Sequence, residues 1–183
     1  DVENNVINFY YTKRTDLSYT VNYLEKDTNT VLNSQKIQEN VTFNSTITVS
    51  EEIIEIMGYE YNSSNVDSIM ISTGENIINL YYTKGSYQYT VEYYFENEKN
   101  EDLTDTFTVL YQDVISTYTS KVADGYKFDK TENLPLSVST ERENNIIKVY
   151  YIIDEDQTKN LSYTVEYYKD DEIVLSDTQI GET

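Results

Sequence analysis

The chain has 183 residues and contains no histidine, no cysteine, no tryptophan and a single proline. Each absence excludes something. Without cysteine there is no disulfide framework, no thiol nucleophile and none of the common structural zinc sites. Without histidine the commonest general base, the commonest metal ligand and the physiological pH switch are missing together. Serine and threonine are abundant, but without histidine or cysteine no common nucleophile–base pair is available. Paired carboxylates serve glycoside hydrolysis, yet among 33 acidic residues close pairs arise by chance and none stands beside a pocket signature. The expectation is a protein that is not an enzyme, with no catalytic residues, no metal and no cofactor.

Long apolar runs are also missing. None approaches the ~18 residues of a membrane span, so no membrane contact is expected of this segment. Basic charge is scarce: 13 Lys and Arg against 33 Asp and Glu leave a net charge of −20. Nucleic acid and anionic membranes bind basic patches and are excluded as partners on that ground. A strongly acidic surface serves solubility.

What the chain does have is tyrosine, 20 in all, with many Val, Ile and Thr. These residues favour half-buried pleated surfaces. They also recur. Residues 5–13 read NVINFYYTK, 76–84 read NIINLYYTK and 145–151 read NIIKVYY, at offsets of 71 and 69 residues. Each is followed by a second marker, SYTVNY at 18–23, QYTVEY at 88–93 and SYTVEY at 162–167. A Gly-Tyr pair stands at 58–59 and 125–126. Ordered markers at one period are the signature of a repeat array.

The markers set a frame. Residues 1–13 read as the last strand of a preceding repeat, 17–84 and 87–153 as two complete repeats, and 161–183 as the start of another. The chain thus reads as an internal segment. Its linkers, Gly85-Ser86 and residues 154–160, are short, which suits a semi-rigid rod. Within a repeat, Tyr19, Val21 and Tyr23, and again Tyr89, Val91, Tyr93 and Phe95, alternate with polar neighbours and predict an opening strand. In the closing strand Ile78, Leu80 and Tyr82 share one face and Ile77, Asn79 and Tyr81 the other. Lys148 at the position of Asn79 marks the second face as wet. Residues 35–43 should form a strand paired with the first.

The stretch from Thr48 to Gly58 is the best helix candidate. Ser50 would cap it, Glu51 and Glu52 would favour its positive end, and Gly58 would stop it. The corresponding stretch after Thr119 is shorter and predicts one turn or a loop. The fold class is therefore α+β but β-dominated, with small mixed sheets carrying a short helix or loop on one face.

These residues resemble the MucBP repeats of Gram-positive surface proteins. The shared features are the openings Tyr19-Thr20-Val21-Asn22-Tyr23 and Tyr89-Thr90-Val91-Glu92-Tyr93, the stretches Asn44–Thr48 and Ile115–Thr119, the Gly-Tyr pairs and the Tyr-Tyr closing strands. Gly181-Glu182-Thr183 looks like the start of the same middle stretch. Met57 and Asp124 stand where the family often has proline. The resemblance implies a ubiquitin-like (β-grasp) topology and a cell-surface location, anchored to the cell wall through parts outside this chain. It implies adhesion to mucin or another host glycoprotein or glycan. The alternative role is a structural stalk that spaces a distal binding domain.

Tyrosines on the wet face are the candidate ligand-binding residues: Tyr81, Tyr94, Tyr150 and Tyr168. A ring with a polar tip suits sugar or protein contact, although cross-strand support of the sheet would use the same residues. The acidic runs 154–156 and 170–172 lack the spaced ligands of a calcium loop and read as a solvated linker and a hairpin turn. Asn40, Asn44, Asn62 and Asn160 fit the glycosylation sequon, as chance predicts in so Asn-, Ser- and Thr-rich a chain. Residues 5–13 and 161–175 would leave unpaired edges, which either fray or complete each other between molecules by edge-strand self-association.

Overall fold

The computed structural model describes residues 6–182 except 122 and 159. It divides into two compact units, Asp1–Ser86 and Tyr87–Thr183.

In the first unit the strands are β1 (Leu17–Glu25), β2 (Val31–Val41), β3 (Thr46–Thr48), β4 (Tyr59–Ser64), β5 (Ser68–Met70) and β6 (Ile77–Lys84). Four of them form a mixed sheet in the order β2-β1-β6-β4, and β3 and β5 pair separately. The first and last strands lie side by side at the centre and run parallel, from Thr20 opposite Ile77 to Glu25 opposite Tyr82. The outer pairs are antiparallel.

The second unit repeats this plan with β7 (Ser86–Phe95), β8 (Glu98–Leu110), β9 (Val114–Ile115), β10 (Tyr126–Glu132), β11 (Leu136–Ser137) and β12 (Ile146–Ile153). Its sheet order is β10-β12-β7-β8. The central parallel ladder runs from Thr90 opposite Ile146 to Phe95 opposite Tyr151. A two-stranded hairpin of β13 (Asn160–Lys169) and β14 (Glu172–Glu182) follows.

Alternation along the central strands builds each core. Leu17, Tyr19, Val21 and Tyr23 of β1 and Ile78, Leu80 and Tyr82 of β6 are buried together with Val49 and Ile71. Val91 and Tyr93 of β7 pack with Ile147, Val149 and Tyr151 of β12, and with Leu136 and Val138. The turns use the residues that tolerate left-handed backbone. Glu96-Asn97 and Asp170-Asp171 each supply two successive positive φ values in a tight hairpin, the pattern of a type I′ turn. The acidic run at 170–172 is thus the tip of a hairpin. Gly58 and Gly125 have φ of 79° and 83° and lead into β4 and β10. Their carbonyls accept the amides of Gly85 and Asp154, so each Gly-Tyr pair ties the end of its own closing strand. Asp154 also accepts the Lys127 ammonium at 3.2 Å.

The expected helix between Thr48 and Gly58 does not form. A single 3₁₀ turn, Val49–Glu51, takes its place, followed by irregular chain. The reason lies in the core beneath. The Tyr82 hydroxyl donates to the carbonyl of Ile54 at 3.0 Å and accepts its amide at 3.2 Å. One phenol therefore satisfies the backbone groups that a helix would have paired internally. Adjacent β-branched Ile53 and Ile54 favour helix little. In the second unit the counterpart is a loop, and Tyr151 accepts the amide of Lys121 there in the same way. Of the closing strand expected over 1–13, residues 1–5 lie outside the described residues. Residues 6–16 join no strand.

Candidate functional site

The outer face of the second sheet gathers the charged and aromatic side chains. Across it run two rows set by register. One carries Glu132, Lys148 and Glu92, with Lys99 of β8 reaching Glu92 at 2.9 Å. The other carries Lys130, Tyr150 and Tyr94. The rings of Tyr94 and Tyr150 stack with centroids 5.0 Å apart and planes 23° from parallel. Lys130 lies 4.7 Å from the Tyr150 centroid, and Lys148 lies 5.8 Å from that of Tyr94. Both hydroxyls donate to carboxylates, Tyr94 to Glu92 at 2.8 Å and Tyr150 to Glu132 at 3.0 Å.

These contacts set the titration of the patch. Burial and the hydrogen bond to Glu92 push the Tyr94 phenol up to about 12. Burial and Glu132 raise Tyr150 as well. Lys130 and the Tyr150 hydroxyl hold the Glu132 carboxyl below its ordinary range. Burial opposes ionisation of Glu92, but Lys99 and Tyr94 outweigh it and the carboxyl is lowered.

The four candidate tyrosines do not converge. Only Tyr94 and Tyr150 meet. Tyr81 occupies the position of Tyr150 in the first unit, but its partner across the parallel ladder is Leu24. That face has Asn22 donating to Asn79 at 2.8 Å where the second has a charge row. Tyr168 lies on the β13–β14 hairpin and donates to Glu166 at 2.6 Å.

Two polar constellations escaped the sequence reading. In the first unit the Tyr19 hydroxyl donates to buried Glu52 at 2.7 Å, and Lys36 of β2 reaches the same carboxylate at 2.6 Å. In the second the Tyr93 hydroxyl, with one proton to give, lies 2.6 Å from the Thr119 carbonyl and 3.1 Å from the Asp105 carboxylate of β8. Lys121 of the connecting loop closes that group, 2.9 Å from Asp105. Strand and connector have exchanged charge signs between the repeats, and the tyrosine differs too: Tyr19 is the first tyrosine of its marker, whereas Tyr93 closes the other and corresponds to Tyr23. Each triad joins the connector to the second strand of its sheet through a core tyrosine, which gives it a structural task.

The second constellation is the buried pair Asn76 and Asn145, each just ahead of its closing strand. Asn145 Nδ2 donates to the carbonyls of Gln88 and Ser139, and its Oδ1 accepts the Ser139 amide and hydroxyl. Asn76 makes the corresponding bonds to Ser18 and Ser72. Their own carbonyls accept the amides of Thr90 and Thr20, both at 2.9 Å. Each asparagine therefore fastens the first rung between opening and closing strands. The signal was in the markers, since Asn precedes Ile-Ile at both places.

No protein-family model matches the chain, and no curated protein matches it. Among solved structures it is similar to Mub-RV, with 14% identity, a TM-score of 0.31, and coverage of 75% of this chain and 99% of that one. Tandem SHIRT domains 3–4 of a streptococcal cell surface protein match at 10% identity and a TM-score of 0.32, over 75% and 98% of the two chains. The type 2 repeat of the mucus binding protein MUB from Lactobacillus reuteri matches at 14% identity and a TM-score of 0.27, over 75% and 100%.

Proposed function

We propose that this chain is a non-enzymatic, load-bearing repeat segment of a bacterial surface protein, in which residues 17–84 and 87–153 are the complete repeats. The β-grasp topology attached to the family resemblance belongs to this reading. A central parallel pair flanked by antiparallel partners supports it, and a 3₁₀ turn or loop stands in for the helix. Extracellular placement, with wall anchoring through parts outside this chain, belongs to it as well.

The observation that carries the proposal is the parallel pairing of first and last strands in both repeats. Tension applied through the chain pulls β1 and β6 in opposite directions along their shared ladder. All its hydrogen bonds are loaded together in shear. The core rows Val21 with Ile78 and Tyr23 with Leu80 must slide at the same moment. Single-molecule pulling tests this. Stretched from its ends, the chain should give two unfolding events at markedly higher force than the first repeat does when handles are attached at Ser18→Cys and Glu75→Cys. Those two exposed sites flank the same end of the ladder, so pulling there unzips it one bond at a time. Equal, low forces in both geometries would remove the mechanical role.

A second reading is adhesion to mucin or a host glycan through the outer sheet face. The stacked Tyr94–Tyr150 pair with flanking lysines favours it. It predicts saturable mucin or glycan binding that Tyr94→Ala and Tyr150→Ala each weaken by roughly 1 kcal/mol, about five-fold. A flat titration on a mucin and glycan array would end this reading for the segment.

A further inference from the structure

We propose that Tyr94 and Tyr150 form an oxidative cross-linking site, at which a peroxide-driven one-electron oxidant joins the two rings carbon to carbon as dityrosine and so ties β7 to β12. The two residues face each other directly across the central parallel ladder. Their rings stack with centroids 5.0 Å apart and planes 23° from parallel. A centroid distance this long in a stacked pair means an offset, with the edge of one ring over the other. Contact between ring edges then needs only side-chain rotation, and the strands stay where they are. Both residues are half-buried on the outer face, within reach of an oxidant in solution.

A phenol gives up an electron readily only if its proton leaves as well. Each hydroxyl already donates to a carboxylate, Tyr94 to Glu92 at 2.8 Å and Tyr150 to Glu132 at 3.0 Å. Each carboxylate also has a lysine against it, Lys99 at 2.9 Å from Glu92 and Lys130 at 2.7 Å from Glu132, which favours the anion. Each ring can therefore pass one electron to the oxidant and one proton to its own carboxylate. The two neutral radicals pair by forming one bond between ring carbons ortho to the hydroxyls. Each coupled carbon then releases its hydrogen as a proton while the ring oxygen takes one back from its carboxylate, which restores both phenols. In sum two C–H bonds are replaced by one C–C bond. One hydrogen peroxide accepts the two electrons and two protons and becomes two waters.

The first repeat supplies the contrast. Tyr81 stands where Tyr150 does, but across the ladder it faces Leu24. Tyr61 does meet Tyr82 there, edge-on at 5.8 Å, yet Tyr82 is buried and its hydroxyl donates to the Ile54 carbonyl, which is no base. The cross-link is thus specific to the second repeat. Its consequence follows from the topology. A bond from Tyr94 to Tyr150 bridges the ladder that tension shears. The chain between them, about 200 Å when extended, is taken out of the load path. That consequence rests on the load-bearing reading, whereas the cross-link itself does not.

Treatment of the dilute full chain with hydrogen peroxide and a haem peroxidase, read by fragment mass spectrometry of its peptides, tests the proposal. The expected product is a monomer lighter by two hydrogens that yields a peptide pair joined through Tyr94 and Tyr150. Tyr94→Phe and Tyr150→Phe should each abolish that pair, with circular dichroism showing that the sheet is kept. Glu92→Gln and Glu132→Gln should each slow its formation several-fold at fixed oxidant, because the proton has lost its acceptor. Products joined only at other tyrosines, a pair that survives either Phe variant, or a rate unchanged in both Gln variants would overturn the site. In single-molecule pulling, the oxidised chain should release about 200 Å less in one of its two unfolding events and the full length in the other. Full release in both events from a chain that carries the cross-link would overturn the lock. The mass readout is independent of force, so failure of the load-bearing reading and failure of the cross-link are told apart.

Discussion

Asn145→Ala is expected to destabilise its repeat by about 3 kcal/mol, and Asn76→Ala to do the same in the other repeat. The side chain of Asn145 is fully buried and all its polar capacity is used. Truncation to alanine leaves the carbonyls of Gln88 and Ser139 without a donor and the Ser139 amide without an acceptor. A polar group stranded in this way costs about 1–3 kcal/mol if buried. Gln88 is surface-exposed, so water replaces part of what is lost there and the sum stays near the lower end. A repeat of this size has a stability of only about 3.5–10 kcal/mol, so the loss is large.

Asn145→Asp is the sharper variant. It is nearly isosteric, but at neutral pH it sets a carboxylate against two carbonyl oxygens and removes both donors. It should cost more than alanine at pH 7. Below the carboxyl's titration the neutral acid regains one donor, so part of the loss should return on acidification. Urea titrations followed by circular dichroism, at pH 7 and pH 4, would measure both effects. Equal stability of Asn145→Ala and the unmodified chain would show that the asparagine does not hold the parallel ladder. The same substitution should lower the unfolding force, because Asn145 fastens the end of the ladder where shear begins.

The central strands were legible because their pattern is strict. Tyr19, Val21 and Tyr23 alternate with Thr20 and Asn22, and the closing strands do the same, so faces and core follow from period two. The Lys148-for-Asn79 exchange identified the wet face correctly. The connector was misread for a physical reason. Ser50, Glu51, Glu52 and Gly58 supply helix punctuation, but punctuation assumes that the backbone must pair with itself. Here Tyr82, distant in sequence, offers its hydroxyl to Ile54, and Glu52 is drawn inward to Tyr19 and Lys36. Neither contact leaves a local trace. The two triads were hidden for a related reason: comparison of repeats finds conserved letters, and the charge is on opposite partners in the two copies. Asn76 and Asn145 were visible as letters inside the markers, but their task shows only once Ser18 and Gln88 are known to lie beside them. Of the four wet-face tyrosines, the sequence could give the face and not the neighbours. Whether Tyr81 meets tyrosine or leucine depends on the register of the parallel ladder.

The absence of histidine and cysteine shapes the last expectation, a broad plateau of stability followed by cooperative alkaline unfolding from about pH 10. Neither of those side chains is present to titrate between about pH 6 and 9, so stability should change little there. Above that range the tyrosines decide. Burial raises Tyr19, Tyr23, Tyr82, Tyr89, Tyr93 and Tyr118 above the ordinary value of 10.0, and carboxylates add to this at Tyr19 through Glu52 and at Tyr93 through Asp105. A raised value in the folded state means that the unfolded chain loses its protons first. The stabilising effect is complete below pH 10 and disappears as the pH climbs through the folded-state values. Lys36, raised by its bond to Glu52, acts in the same direction. The raised phenols of each repeat act together, because each one prefers its protonated form in the folded state. Growing negative charge adds self-repulsion. The acid arm should be shallower. Glu132 and Asp16 are held low by Lys130 and Arg14 but sit at the surface, where ion pairs contribute little, and acidification relieves the excess negative charge. Tyrosinate absorbance near 295 nm and circular dichroism, recorded together from pH 8 to 13, provide the check. The two signals should change in one transition. Independent titration of the tyrosines near pH 10 with the sheet signal intact would show that the buried phenols are not protected by the fold.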